Sequence, residues 1–133
     1  MRLTTRSEYA LLALLHLART GTTDPVSVDA ISTAKGIPAK YLEHIMRSLR
    51  TARFVRSVKG RAGGYVLACD PSEIRLAEVI RLFDGALAPT ESVSTYFYET
   101  TPIESETRLL AIFQEIRDYV AQKLDATSLA DVQ

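Results

Sequence analysis

Six residues between positions 39 and 47 have the spacing of one exposed helix face, and most of them carry hydrogen-bonding groups. Such donors and acceptors could bind base edges and phosphates in the major groove of a duplex. An ordinary solvent-exposed helix face has a similar composition, so this pattern alone leaves both interpretations open. The residues are Ala39, Lys40, Tyr41, Glu43, His44 and Arg47.

Two more basic residues belong to a glycine-rich turn further along the chain. Lys59 and Arg61 stand on either side of Gly60, and Gly63 and Gly64 follow. Cations on a slim turn could reach a DNA backbone or a minor groove, whose negative potential attracts arginine. A glycine-rich loop can also cradle a nucleotide phosphate, but the lysine and Ser/Thr of a P-loop are missing here. The turn therefore favours a nucleic-acid contact.

The sequence contains no set of residues typical of catalysis or metal binding. Its one cysteine is Cys69, and its two histidines, His16 and His44, belong to different predicted helices. No carboxylate pair or nucleophile–base arrangement accompanies them. We therefore predict that the protein is not an enzyme and uses no metal or cofactor. Cys69 could be a reactive thiol or a small buried apolar residue, and the second role is the commoner one.

Charge and hydropathy place further bounds on the function. Up to Tyr65 the chain has 11 basic and 4 acidic residues, a net charge of +7, and the remainder carries −7. Such asymmetry indicates nucleic-acid contact by the basic part, although an accidentally basic surface would give the same count. With a single cysteine and no apolar run near the roughly 18 residues that cross a bilayer, we expect a cytoplasmic protein.

The N-terminal part is predicted to contain a helix-turn-helix. Residues 5–8, Thr-Arg-Ser-Glu, have the form of a capping box, and they begin a mostly buried helix that should end before Gly21. A short second helix is predicted from Val28 to Lys35. A third begins at Pro38, which suits a first helical position. The two helices and their short turn occupy about residues 28–51.

A β-hairpin is predicted directly after the third helix. Strands at about 54–59 and 65–69 enclose the glycine-rich turn, so the hairpin at about 54–69 is placed as a wing. The fold class is therefore mainly α with a small β-hairpin wing. Residues 1–84 would form the winged helix-turn-helix of a single domain that covers residues 1–131.

The C-terminal part combines an irregular segment with a long helix. Residues 85–105 follow a fourth helix, and their aromatic side chains could line an effector pocket or pack beneath the next helix. These side chains are Tyr96, Phe97 and Tyr98.

Residues 106–124 have an apolar stripe with the three-four spacing of a packed helix. The stripe could dock on its own domain, or pair with a second chain, or do both. We expect a dimerisation helix, because a small DNA-binding domain gains affinity by contacting two half-sites. The apolar residues are Leu109, Ile112, Phe113, Ile116, Tyr119, Val120 and Leu124.

From Met1 to about Asp131 the chain resembles a family of winged-helix transcriptional regulators. This family, the BadM type, includes the iron–sulfur cluster regulator IscR, the nitric-oxide sensor NsrR and the cysteine-metabolism repressor CymR. The matching segments are Met1–Thr4 with Tyr9–Leu11, Gly36–Pro38 with Tyr41–Glu43 and Leu49, Val58–Gly60 with Gly63–Tyr65, and Leu76–Ile80.

The resemblance implies a homodimer that binds double-stranded DNA and usually represses transcription. Tyr41 and Glu43 match positions that the family uses for DNA recognition. Cluster-binding members carry three cysteines between the fourth helix and the dimer helix, whereas residues 85–105 here contain none. We therefore expect a regulator that senses without an iron–sulfur cluster, through a small-molecule or protein effector. A winged-helix module that binds a protein instead of DNA is the alternative.

Overall fold

The computed structural model describes residues 2–20 and 23–133, and this part of the chain is mainly helical with one two-stranded sheet. The predicted fold class is therefore confirmed, while Gly21 lies outside the described residues. The elements are α1 (Thr5–Thr20), α2 (Val28–Lys35), α3 (Ala39–Thr51), β1 (Val55–Val58), β2 (Gly64–Leu67), α4 (Leu76–Asp84), α5 (Thr107–Ala126) and α6 (Leu129–Val132). Short 3-10 turns lie at Pro71–Glu73, Glu91–Val93 and Pro102–Ser105.

The start of α1 differs from the predicted capping box at residues 5–8. Thr4 caps the helix, because its Oγ1 accepts the Ser7 amide hydrogen at a donor–acceptor distance of 3.4 Å. The third helical residue is then a serine, which has no carboxylate to complete the box. Asp84 at the end of α4 accepts the Thr4 amide hydrogen instead, at 3.1 Å. A tertiary contact therefore replaces the predicted local one and connects α1 to α4.

α2 and α3 form the predicted helix-turn-helix and pack against α1. Ser27 caps α2 by accepting the Ala30 amide hydrogen at 3.1 Å. Gly36 ends the helix in the left-handed conformation with φ 67°, which a residue without Cβ adopts readily. Pro38 precedes α3 as its capping residue rather than occupying the first helical position. The turn between the helices is therefore short, and it keeps them in contact.

The wing is held against the helix-turn-helix by a second backbone pairing. β1 and β2 are antiparallel, with Val55 opposite Leu67. Tyr65 of β2 also exchanges two backbone hydrogen bonds with Val26, at 2.9 and 2.8 Å. Gly64 makes this approach possible, because its φ is +154° and a Cβ there would overlap the Val26 carbonyl. The position of the wing is thus set by the segment that precedes α2.

The end of the chain returns to the N-terminal part, a contact that no local sequence pattern predicts. Leu129 of α6 is fully buried in the main core. Its amide donates to the Ile74 carbonyl at 2.9 Å. Ser128 caps α6, and Asp131 completes a capping box with it. Both ends of the chain therefore contribute to one folded unit.

We expect Gly64→Ala to destabilise the protein far more than Gly36→Ala. Both glycines have positive φ, but a Cβ at Gly36 would meet no atom within 4 Å. Gly36→Ala should then cost only the strain of the left-handed backbone, about 1 kcal/mol. Gly64→Ala adds the overlap with Val26 and should cost roughly 3 kcal/mol or more. Thermal unfolding at one protein concentration measures both, and equal losses would contradict this account of the wing.

Candidate nucleic-acid interface

α3 has a buried apolar face and an exposed polar face on opposite sides. Leu42, Ile45, Met46 and Leu49 are buried, and they fix the rotation of the helix about its axis. Residues between them in sequence are therefore directed to solvent. The structure brings the predicted set together on this side, with half-buried Ala39 and exposed Lys40, Tyr41, Glu43, His44 and Arg47.

Beside this face, α1 and α3 enclose a groove of about 490 Å³. Arg6 from the first turn of α1 lines it together with Tyr41 and Arg47. The Arg6 guanidinium lies over the Phe83 ring, 5.3 Å from its centroid, and the Tyr9 ring meets Tyr41 edge-on at 5.7 Å. Arg6 is not among the residues predicted from the sequence to contact DNA. The available signal was a cation in the first turn of a helix, where the macrodipole disfavours positive charge.

The wing presents its two predicted cations at an exposed tip. Lys59 and Arg61 are exposed. The Gly63 amide donates to the Gly60 carbonyl at 3.0 Å and closes the turn. A Cβ at Gly63 would overlap the Val58 carbonyl, so the tip stays narrow. The two cationic side chains therefore extend into solvent from a closely folded turn.

The basic residues of the N-terminal part have no acidic partners among the residues that the structure describes. Within residues 2–20 and 23–133 the ion pairs are Arg81–Asp125 at 2.9 Å and Arg117–Asp118 at 2.8 Å. Both pairs lie in the acidic half of the chain. The excess of +7 up to Tyr65 is therefore not neutralised by ion pairs within the described chain, and it remains available to an anionic partner.

The residues of α5 that are predicted to mediate dimerisation lie in two different environments. Val120 and Leu124 pack against residues of α4 in the same chain, and Phe113 is half-buried. The other four form an exposed ridge, with exposed fractions of 43% for Leu109, 52% for Ile112, 44% for Ile116 and 72% for Tyr119.

The four side chains of this ridge form a continuous apolar row and not a set of isolated surface residues. Its members follow one another at intervals of three, four and three residues and so lie along one side of the helix. Single exposed apolar side chains are normal on a protein surface, whereas a contiguous row indicates a contact surface. No residue of α5 is fully buried in the single chain, so the helix has apolar surface left to cover.

The aromatic segment Tyr96–Tyr98 is exposed and is held by polar contacts. The Arg81 guanidinium lies 4.8 Å from the centroid of the Tyr96 ring, and the Tyr98 hydroxyl donates to Glu104 at 2.6 Å. The space that Tyr96 and Phe97 line together is about 10 Å³, enough for about one water molecule. The effector pocket on these residues therefore stays a prediction, without an open cavity in the single chain.

A family model described as an iron-dependent transcriptional regulator, named Rrf2, matches residues 3–133. The chain is 31% identical over 99% of its length to the HTH-type transcriptional regulator CymR of Bacillus subtilis, covering 89% of that protein. It is 37% identical to a Mycobacterium tuberculosis protein whose name describes an HTH-type regulator, over 99% of this chain and 81% of the relative.

Solved structures show the same similarity. The structure of CymR, described as the global cysteine regulator of B. subtilis, superposes with a TM-score of 0.80 at 30% identity, covering 99% of this chain and 95% of that one. IscR of T. potens superposes with a TM-score of 0.71 at 27% identity, over 99% and 85%. No helix of the described residues has the length and apolar character needed to cross a membrane.

The donor set of this chain does not fit an iron–sulfur cluster. Such clusters are held by several cysteine thiolates, with histidine as an occasional substitute, and the chain has one cysteine. Within the described ranges no three His, Cys, Asp or Glu side chains come together as a metal site. The histidine in α1, His16, is half-buried and lies near cations instead of other potential ligands. Burial lowers its pKa, and the nearby Lys35 and Arg19 lower it further.

We expect Cys69 to react slowly with a thiol reagent such as DTNB. Burial raises the pKa of the Cys69 thiol, and the negative charges of Glu73, Glu78 and Asp70 raise it further. A raised pKa leaves less of the reactive thiolate at neutral pH. The folded protein should therefore react more slowly than free cysteine at about neutral pH, and denaturant should remove the difference. A faster reaction in the folded protein would instead indicate an activated thiol.

Proposed function

The chain belongs to the Rrf2 family of transcriptional regulators, and on that premise we propose that it acts as a homodimeric repressor whose two α3 helices enter successive major grooves. It is a DNA-binding transcriptional regulator and not an enzyme. The observation that supports the docking mode best is the exposed polar face of α3, which has no acidic partner among the described residues and lies beside a cationic wing.

In this proposal some side chains on the polar face of α3 contact DNA bases and others contact phosphates. Glu43 can accept a hydrogen bond from a base edge, such as a cytosine amino group, but cannot attract a phosphate. Lys40, His44 and Arg47 supply donors for base edges and phosphates. Tyr41 and Ala39, at the start of the helix, contact the backbone or bases through their exposed parts.

The wing supplies the second contact of each protomer. Lys59 and Arg61 extend from a tip that is narrow enough to follow the DNA surface beside the major groove. Arginine in a narrow minor groove gains from its negative potential. The pairing of Tyr65 with Val26 holds the wing in register with α3, so both contacts can form together without a large rearrangement.

We infer that the exposed ridge of α5 joins two protomers. Two copies of Leu109, Ile112, Ile116 and Tyr119 can cover each other about a twofold axis, which is the commonest symmetry of soluble oligomers. Val120 and Leu124 pack against α4 of their own chain and couple the dimer helix to the helix-turn-helix. A dimer places two recognition helices at a fixed separation, as two half-sites require.

Because the donor set does not fit a cluster, we propose that regulation does not pass through iron–sulfur chemistry. Residues 85–105 then serve as a connection between α4 and α5 that a small-molecule or protein effector could bias. Tyr96, Phe97 and Tyr98 are the candidates for that contact, since their side chains are exposed. We further propose a cytoplasmic location, where the DNA target lies.

Selection of bound fragments from the genome that encodes the chain would identify the operator, and variants then separate the two kinds of contact. We expect Lys59→Ala with Arg61→Ala to weaken binding and to reduce the slope of log K against log salt by about 0.9 for each phosphate that the variant no longer neutralises. Glu43→Ala should change the preferred base at one position, worth about 1–3 kcal/mol, and leave the salt slope unchanged.

Arg19→Ala is the control for that experiment, because it removes an exposed cation from the last turn of α1. It should bind like the unmodified protein. Absence of any retained fragment, even in dilute buffer, would contradict DNA binding by this chain. Unchanged affinity and slope in the Lys59 and Arg61 variant would contradict the role of the wing alone.

We expect Ile112→Glu with Ile116→Glu to produce a folded monomer. Two like charges on the ridge would have to be buried against their copies in the dimer, at a cost that apolar contact cannot offset. Light scattering after size exclusion measures the mass, and circular dichroism checks the fold. Gln114→Glu, exposed on the other side of α5, adds a charge of the same sign and should stay dimeric. A dimer of unchanged stability in the double variant would refute this interface.

A further inference from the structure

A second basic surface lies between the end of α3 and the start of the wing, outside the contacts proposed above. There α3, β1 and the residue that follows β2 enclose an open groove of about 500 Å³. Three arginines line it, one from the last turn of α3, one from the connection and one from β1. They are Arg50, Arg53 and Arg56, and all three are exposed.

The backbone at Arg53 is unusual for a residue with a side chain. Its φ is +67°, and among the described residues no other residue with a side chain has a positive φ. The Arg53 amide donates to the Arg50 carbonyl at 2.9 Å, and the Phe54 amide donates to the Leu49 carbonyl at 3.0 Å. This is close to the Schellman arrangement at a helix end, in which glycine is strongly preferred at the left-handed position. Folding alone would therefore favour glycine over arginine here.

Contacts within the chain do not account for the three cations. Their side chains form no ion pair or hydrogen bond with other described residues. A cation near the C-terminal end of a helix interacts favourably with the macrodipole, which suits Arg50 and Arg53. It does not account for Arg56, which belongs to β1, and three like charges around one groove repel each other.

The groove is continuous with the proposed DNA-binding surface. Arg50 follows Glu43 by two helical turns on the same side of α3, and β1 leads from Arg56 to Lys59 at the wing tip. When α3 occupies a major groove, phosphates of the DNA backbone border the helix, and the arginine groove lies on the side of α3 that faces the wing. An open channel with cations from three consecutive segments suits an extended polyanion.

We propose that Arg50, Arg53 and Arg56 bind the DNA phosphate backbone along the wing side of α3, and that Arg53 keeps its unfavourable backbone conformation for this contact. The proposal rests on the DNA binding proposed above and extends its footprint to residues outside the base-reading face. A phosphate contact of this kind positions the protein on the duplex and adds affinity for every sequence.

The test uses Arg53→Gly in the full-length protein, because glycine suits this backbone and the variant should fold. Binding is measured by fluorescence anisotropy on a mixed-sequence duplex of about 30 base pairs, long enough for two half-sites, at several salt concentrations. We expect affinity to fall about fivefold and the salt slope to decrease by about 0.9. The melting temperature should equal or exceed that of the unmodified protein, since backbone strain is relieved.

Two further variants complete the design. Arg53→Lys keeps the charge and should retain most of the affinity. Arg19→Ala removes a distant cation and should change neither the affinity for the duplex nor the salt slope. Inorganic phosphate, added at the same ionic strength as chloride, should compete no more strongly than chloride, since the groove is proposed to bind a polyanion and not a free phosphate.

The outcomes separate this proposal from the proposed function. If the unmodified protein fails to bind the duplex at low salt, the proposed function itself is wrong. If it binds and Arg53→Gly has the same affinity and salt slope, the groove is not a DNA contact. Selective competition by inorganic phosphate would also overturn the proposal, because the groove would then be a free-anion site.

Discussion

The structure depends on the burial of one side of α3. Leu42, Ile45, Met46 and Leu49 lie in the core shared with α1 and α2, and a helix anchored along one side cannot rotate without exposing that apolar surface to water. The opposite side is therefore presented in a fixed direction, although no ion pair within the described chain holds its polar side chains. In the proposed DNA complex these groups would be pre-positioned, which lowers the entropy cost of binding.

α5 also has two sides in different environments, but here both sides are apolar. Val120 and Leu124 attach the helix to α4, and the ridge that begins at Leu109 is left open to solvent. The Arg117 guanidinium adds a hydrogen bond to the Val93 carbonyl at 2.9 Å, which connects the helix to the irregular segment. The single chain thus buries one part of the helix and leaves the other exposed, and the proposed dimer would cover that exposed part.

Most of the fold could be predicted because its signals are local. Ser27 and Gly36 mark the ends of α2 by their own side-chain and backbone properties, and the apolar spacing in α3 identifies its buried side. Apart from one-residue shifts at helix starts, the errors concern contacts between distant segments. Asp84 completes the cap of α1 from 80 positions away, and Leu129 enters the core from the end of the chain. Arg6 reaches the α3 groove only because α1 packs where it does, so no periodic pattern could assign it to the interface.

The return of the chain end through α6 has a mechanical consequence. Backbone hydrogen bonds from Leu129 to Ile74 and from Leu76 to Thr127, both 2.9 Å, pin one end of α5 next to the start of α4. From this point α5 extends over 20 residues, about 30 Å, and along the way it contacts the 3-10 turns at Glu91–Val93 and Pro102–Ser105. A change of about 10° in the inclination of α5 would displace its far end by about 5 Å. In the proposed dimer, joined along α5, the separation of the two α3 helices would therefore depend on the angle that α5 makes at its pinned end.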